Sequence, residues 1–165
     1  MTLETFPNEE LRFYCFVNFY LSQIQQGIQT GHAAVDLVRQ YAKVQRYHVI
    51  VERNYNLVNR WADDYKTFIT LNGGNLDGIN EATTIIRATE LPMVKFYEDE
   101  VSLGGIQTCV GVVLPQSIFN AKKNISSDGF EAYTYTDIAT GKETWYHNDT
   151  QYFALIQLLR SSRLA

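Results

Sequence analysis

Gln25, Gln29, His32 and Asp36 fall at i, i+4, i+7 and i+11, so in a helix four polar side chains share one row. Amides, an imidazole and a carboxylate in such a row can hold a ligand, and the same row can serve as a plain solvated edge. A second cluster, Glu98-Asp99-Glu100-Val101-Ser102, forms an acidic stretch that runs into Gly104-Gly105. Turns of this kind are usually solvated. Thr108 heads an apolar run, where β-propensity alone accounts for a threonine. His32, His48 and His147 show no ligand spacing with the carboxylates or cysteines, so no metal is expected. There is no Gly-x-Gly-x-x-Gly, no Walker loop and no serine elbow, and no cofactor is implied.

The polar row needs a helix, and the sequence supplies one directly after a strand. Leu11 to Leu21 alternates with apolar residues on both sides, Phe13, Cys15, Val17 and Phe19 against Tyr14, Phe16 and Tyr20. That is the pattern of a central strand covered on both faces. Ser22 is then a good N-cap, with Gln25 three residues on completing a capping box. The helix is expected to run to about Val44. Ile24, Ile28, Gly31, Val35, Val38 and Ala42 recur at spacings of four and three and predict its buried stripe, with Gly27 and Gly31 letting it sit close to a sheet.

Further along, Tyr47 to Tyr65 predicts a second helix carrying Trp61, and Lys66 to Leu71 a strand closed by Asn72-Gly73-Gly74-Asn75. A helix over Leu76 to Glu90, with Ile79, Ala82, Ile85 and Ile86, ends at Leu91-Pro92. Met93 to Tyr97 and Gln107 to Leu114 read as strands. Gln116 to Gly129 is polar and loop-like. A hairpin joins Phe130–Asp137 to Glu143–His147 with Gly141 at the turn, and Thr150 to Arg163 has the spacing of a terminal helix. The order predicts an α/β fold: a mixed four-stranded sheet with helices on both faces, plus an appended C-terminal hairpin and helix. Residues 1–115 form the core and residues 116–165 an extension packed on the same domain.

Composition bounds the function classes. The chain has 165 residues, with 45% hydrophobic and 13% aromatic residues, which suits one globular domain rather than a disordered chain. Fourteen basic against eighteen acidic residues leave a net charge of −4, which argues against a surface that grips nucleic acid over its whole extent. Cys15 and Cys109 lie in apolar runs and read as buried thiols, not as a disulfide framework. No apolar run approaches a membrane span and no signal-peptide pattern opens the chain, so a soluble, cytoplasmic protein without a membrane partner is expected. The sequons at Asn124 and Asn148 are then chance matches. Exposed aromatics among Tyr133, Tyr135, Trp145 and Tyr146 of the hairpin would need covering, which suggests a homodimer.

The strand, then Gln29-Thr30-Gly31-His32-Ala33, then Trp61 before the next strand, resembles the archaeal and eukaryotic-type peptidyl-tRNA hydrolases. Their first helix carries lysine-apolar-Ala-Ala-Gln-x-x-His-Ala, and Gln29, His32 and Ala33 match it in register. Their second signature is Leu-Pro, a strand, an Asp-Ala-Gly-x-Thr turn, then Gly-Thr-x-Thr and an apolar strand ending near proline. Leu91-Pro92, Gly105-Ile106-Gln107-Thr108 and the run from Cys109 to Pro115 are similar to that frame. The resemblance covers about Arg12 to Pro115 and leaves the hairpin and last helix outside.

The resemblance implies cleavage of the ester between a peptide and the 3′ end of tRNA, with the peptidyl-tRNA end as partner. The departures fall on the chemistry. The helix lysine falls on Gln25, the alanine pair becomes Gly27-Ile28, and the Asp-Ala-Gly-x-Thr turn becomes Glu98 to Ser102. Such a site needs an oriented water and donors for the charge developing on the carbonyl oxygen. Asp99 or Glu98 is then the carboxylate that orients or deprotonates water, and Ser102, Thr108 and Gln25 supply hydrogen bonds. Gln29 and His32 support substrate binding, and Lys95 is the cation from another element. The start of the first helix is expected to converge with the turn after the third strand. The alternative is a protein on the same scaffold that binds tRNA, a protein or a small ligand without hydrolysing it.

Overall fold

Leu11–Val17 forms strand β1, and its alternation buries both faces: Leu11, Phe13, Cys15 and Val17 are inaccessible, and Phe16 is 1% exposed. The computed structural model describes residues 4–42 and 48–165, and for residues 102 and 103 the backbone only. The main sheet has the order β2-β1-β4-β3, with β2 Phe68–Asn72, β3 Met93–Tyr97 and β4 Gln107–Pro115. Strand β1 runs parallel to β2 and antiparallel to β4, and β3 is antiparallel to β4. All nine residues of β4 are buried, so β1 and β4 form the floor on which the helices pack.

Helix α1, Gln23–Ala42, lies on one side of this sheet, with α2, Val49–Arg60, beside it. A π-helical turn, Trp61–Tyr65, continues α2 and sets the Trp61 ring 5.3 Å from Phe13. On the other side α3, Leu76–Ala88, buries Ile79, Ala82 and Ile86. Asn75 caps α3, its side-chain oxygen accepting from the Gly78 N–H at 3.1 Å. Gly111 in the middle of β4 has a steric cause: a Cβ there would stand 2.3 Å from the Phe13 ring. The large ring and the missing side chain fill one space.

The buried face of α1 is not the predicted one. Ile24, Ile28, Val35 and Val38 are 78%, 48%, 59% and 37% exposed, and a Cβ on Gly27 or Gly31 would meet nothing within 4 Å. The face on the sheet carries Gln26, Gln29, Thr30, Ala33, Ala34, Leu37 and Tyr41. Small side chains there let the helix approach a floor already filled by Phe13 and the β4 valines, and the polar ones find partners. The end of the helix expected near Val44 and the start of the next at Tyr47 lie outside the described residues.

Residues 116–165 hold more structure than a loop and a hairpin. The stretch expected to be loop-like contains a short helix, α5, Gln116–Phe119, and an edge strand, β5, Lys122–Ile125, whose four residues are all exposed. Without alternating burial it leaves no strand signal in the sequence. Strand β5 pairs with β6, Glu131–Thr136, which forms the expected hairpin with β7, Glu143–His147. Helix α6, Gln151–Ser161, packs on α3 and on this second sheet. Tyr133 lies against Phe153 at 5.1 Å and Tyr146 edge-on to Tyr152 at 5.7 Å. Tyr133 is 7% and Tyr146 2% exposed, so two of the four aromatics behind the homodimer expectation are covered within the chain, while Tyr135 and Trp145 stay half-buried. After α6 the chain covers the outer edge of β2: the Asn72 N–H donates to the Arg163 carbonyl and the Ala165 N–H to the Thr70 carbonyl.

Candidate functional site

Gln29 is the junction between α1 and the end of the sheet. Its carbonyl Oε1 accepts from the Thr108 hydroxyl at 2.7 Å, and its Nε2 donates to Glu98 Oε2 at 2.6 Å. The three groups form a chain from a buried threonine through a buried amide to a half-buried carboxylate. Gln29 is 5% and Thr108 2% exposed, so each depends on the other for a partner in place of water.

A bulge in β4 aims these groups. Phe96 pairs with Cys109, but Tyr97 pairs with Gln107, so Thr108 is an extra residue on β4 at this point. Consecutive residues then serve one helix: the Thr108 hydroxyl reaches the Gln29 side chain, and the Cys109 thiol lies 3.7 Å from the Gln29 carbonyl. Gln107 turns the other way and donates to Thr83 of α3 at 3.0 Å. The Thr108 carbonyl accepts from the Asn18 N–H at 2.9 Å, which ties the loop after β1 to the same spot. Sequence reasoning missed the bulge, whose local signal is two polar residues, Gln107-Thr108, at the head of an apolar strand.

Of the remaining candidates, Gln25 is engaged elsewhere. Its Oε1 accepts from the Ser22 N–H at 3.0 Å and its own N–H donates to Ser22 Oγ at 3.3 Å. That reciprocal pair is the capping box, and it keeps the Gln25 amide at the helix start. His32 is exposed and lies 5.0 Å from the Phe96 ring, between α1 and β3. Asp99 is exposed, and its carbonyl accepts from the Gly105 N–H at 3.4 Å. Ser102 belongs to a single helical turn, α4, Glu100–Leu103, and its side chain lies outside the described residues. The Lys95 ammonium is 5.5 Å from the Tyr97 ring, on the exposed outer strand. Thus Gln29, Thr108 and Glu98 come together, and Gln25 remains with its cap.

Cys109 lies beside this network, and its thiol is pushed well above the ordinary range, first by a hydrogen bond with Cys15 and then by burial. A thiol held protonated is a poor nucleophile, and Cys109 packs beside Cys15 in the core. Among the described residues no group of three or more histidine, cysteine, aspartate or glutamate side chains is placed to hold a metal ion. No described helix is long and apolar enough to cross a membrane. No family model matches the chain, and no curated protein matches it.

Proposed function

We propose that this protein hydrolyses the ester joining a peptide or N-blocked amino acid to the 3′ end of tRNA, acting in the cytoplasm during translation. The reading rests on the resemblance of Gln29, His32 and the Leu91–Pro115 frame to the peptidyl-tRNA hydrolases. The observation that carries it is the chain Thr108–Gln29–Glu98. Glu98 has the leading role: the Gln29 amide orients one of its oxygens, and the carboxylate takes a proton as water adds to the ester carbonyl. Collapse of the tetrahedral adduct expels the ribose 3′ oxygen, which recovers that proton. Thr108 fixes the Gln29 amide so that its nitrogen, not its oxygen, faces the carboxylate. Thr108 is a positioning residue in this scheme, because its hydroxyl is committed to Gln29.

The test is release of the blocked amino acid from an N-blocked aminoacyl-tRNA by the purified chain. Glu98→Gln should lower turnover by about 10²-fold, the scale of general-base catalysis, while Asp99→Asn changes it little. A silent Glu98→Gln with a dead Asp99→Asn would overturn the assignment. A second reading, a binding protein without activity, is favoured by one observation: Gln25, where the resembled family has its lysine, is uncharged and held in the capping box. If neither the parent nor Gln25→Lys cleaves the ester while tRNA still binds, that second reading replaces the first.

A further inference from the structure

The opposite end of β4 from Thr108 carries a second feature. Nine residues of strand at about 3.4 Å each separate the ends by about 30 Å. Directly after Pro115, α5 turns away and leaves a cleft of about 490 Å³ between itself, the β5–β6 side of the second sheet and α6. That volume suits a small organic ligand. Two cations, Lys122 and Arg160, line it, with the amides of Gln116 and Asn120 and the rings of Phe119 and Tyr135. Among the described residues no carboxylate lines it, although the chain has eighteen acidic residues and a net charge of −4. The neighbouring cleft across Tyr135 differs: there Lys142 is accompanied by Glu4, Glu9 and Asp137.

The strand itself separates its two lysines. Lys123 forms an ion pair with Glu131 at 2.6 Å, while alternation turns Lys122 to the cleft, where among the described residues it pairs with no carboxylate. Arg160 donates through Nη2 to the Ala121 carbonyl, which anchors the guanidinium at the cleft wall with N–H groups to spare. Two like charges lining one space repel each other unless an anion lies between them. A guanidinium fork with an ammonium suits a phosphate, whose oxygens accept from both. The aromatic wall and the two amides then suit a flat polar body attached to it.

From this we propose that the cleft between α5, β5–β6 and α6 binds a small phosphate monoester, its phosphate held by Arg160 and Lys122 and its organic body against Phe119 and Tyr135. The site is separate from the Gln29–Glu98 network and does not depend on the hydrolase reading. Calorimetric titration of the full chain with adenosine 5′-monophosphate, phenyl phosphate, inorganic phosphate and adenosine tests it. Both monoesters should bind, inorganic phosphate more weakly, and adenosine not at all. Lys122→Gln should weaken monoester binding about tenfold, the loss of one charge-assisted contact, with no change in melting temperature because Lys122 is exposed. Arg160→Gln should weaken it further, and a melting curve separates that loss from any effect of the broken Ala121 contact. Absence of binding by both monoesters up to about 10 mM would overturn the proposal. So would equal affinity in Lys122→Gln, or adenosine binding as well as its monophosphate.

Discussion

One side of α1 presents Gln26, Gln29, Thr30, Ala33, Ala34, Leu37 and Tyr41 to the sheet, and the other presents Ile24, Ile28, Val35 and Val38 to solvent. Each of the three buried polar side chains is bonded. Gln26 donates to the Leu21 carbonyl at 2.9 Å, Thr30 donates to the Gln26 carbonyl at 3.0 Å and lies 3.1 Å from the Thr70 hydroxyl, and Gln29 joins Thr108 to Glu98. An exposed isoleucine costs the fold little, since it was equally exposed before folding. It only forgoes the roughly 1.5–3 kcal/mol that burial would have contributed. A buried glutamine without partners would cost several kcal/mol. The comparison teaches that the partners available on the sheet, more than the apolarity of a stripe, decided which face of this helix went inside.

The sharpest way to break that comparison is Gln29→Leu, which makes the buried face more apolar. The substitution strands the Thr108 hydroxyl and removes the amide from Glu98. Urea unfolding should show a loss of about 3 kcal/mol, the cost of orphaning buried groups rather than the smaller worth of the bonds. A loss below about 1 kcal/mol would mean that water reaches Thr108, and the distinction between the faces would weaken.

The same comparison marks how much of the molecule was legible in the sequence. The main-sheet strands largely were, because burial on both sides of β1 and β4 writes long apolar runs. Met93–Tyr97 was expected at the bounds it has, while β1 stops at Val17, short of the expected Leu21, and leaves Phe19 and Tyr20 exposed. The second sheet was legible only as a hairpin, since Lys122–Ile125 is exposed throughout and its pairing partner lies beyond Gly129. For α1, periodicity located a stripe but carried no information about its partner. Thr108 and Glu98 stand 79 and 69 residues from Gln29, and nothing local announces those bonds. The partners of the capping box, Ser22 and Gln25, are three residues apart, and it was readable for that reason. Bringing Gln29 and Thr108 into one site came from the resemblance, while the spacing alone gave a row of polar residues. Asp99 and Glu98 were both candidates, and which of them meets the Gln29 amide was not legible, because it depends on how the turn after β3 is placed against α1.

Gln25→Ala sharpens the comparison at its boundary, where α1 has neither a packed nor a free face but a local cap. It removes one of two reciprocal bonds at an exposed helix start. The expected loss is about 1 kcal/mol, read as a shift in urea midpoint with an unchanged slope. That is smaller than for Gln29 because water can replace the lost partner. A loss as large as that of Gln29→Leu would show that Gln25 belongs to the buried network after all.

The smallest effect belongs to the apolar face. Val35→Ala would be a cavity mutation if that face were buried, and Ile24→Ala would cost about 2–5 kcal/mol in a packed core. With Val35 59% and Ile24 78% exposed, little packing is lost. Alanine is also the better helix former, by up to about 0.7 kcal/mol against a β-branched residue. The gain should be greater at Val35, in the middle of α1, than at Ile24 in its first turn, where fewer backbone bonds depend on the residue. Thermal unfolding should therefore give variants as stable as the parent or slightly more so, with Val35→Ala ahead of Ile24→Ala. A loss above about 1 kcal/mol in either would require the face to be covered in solution. If the loss disappeared on dilution, the cover would be a second copy of the chain, because only association makes stability depend on protein concentration.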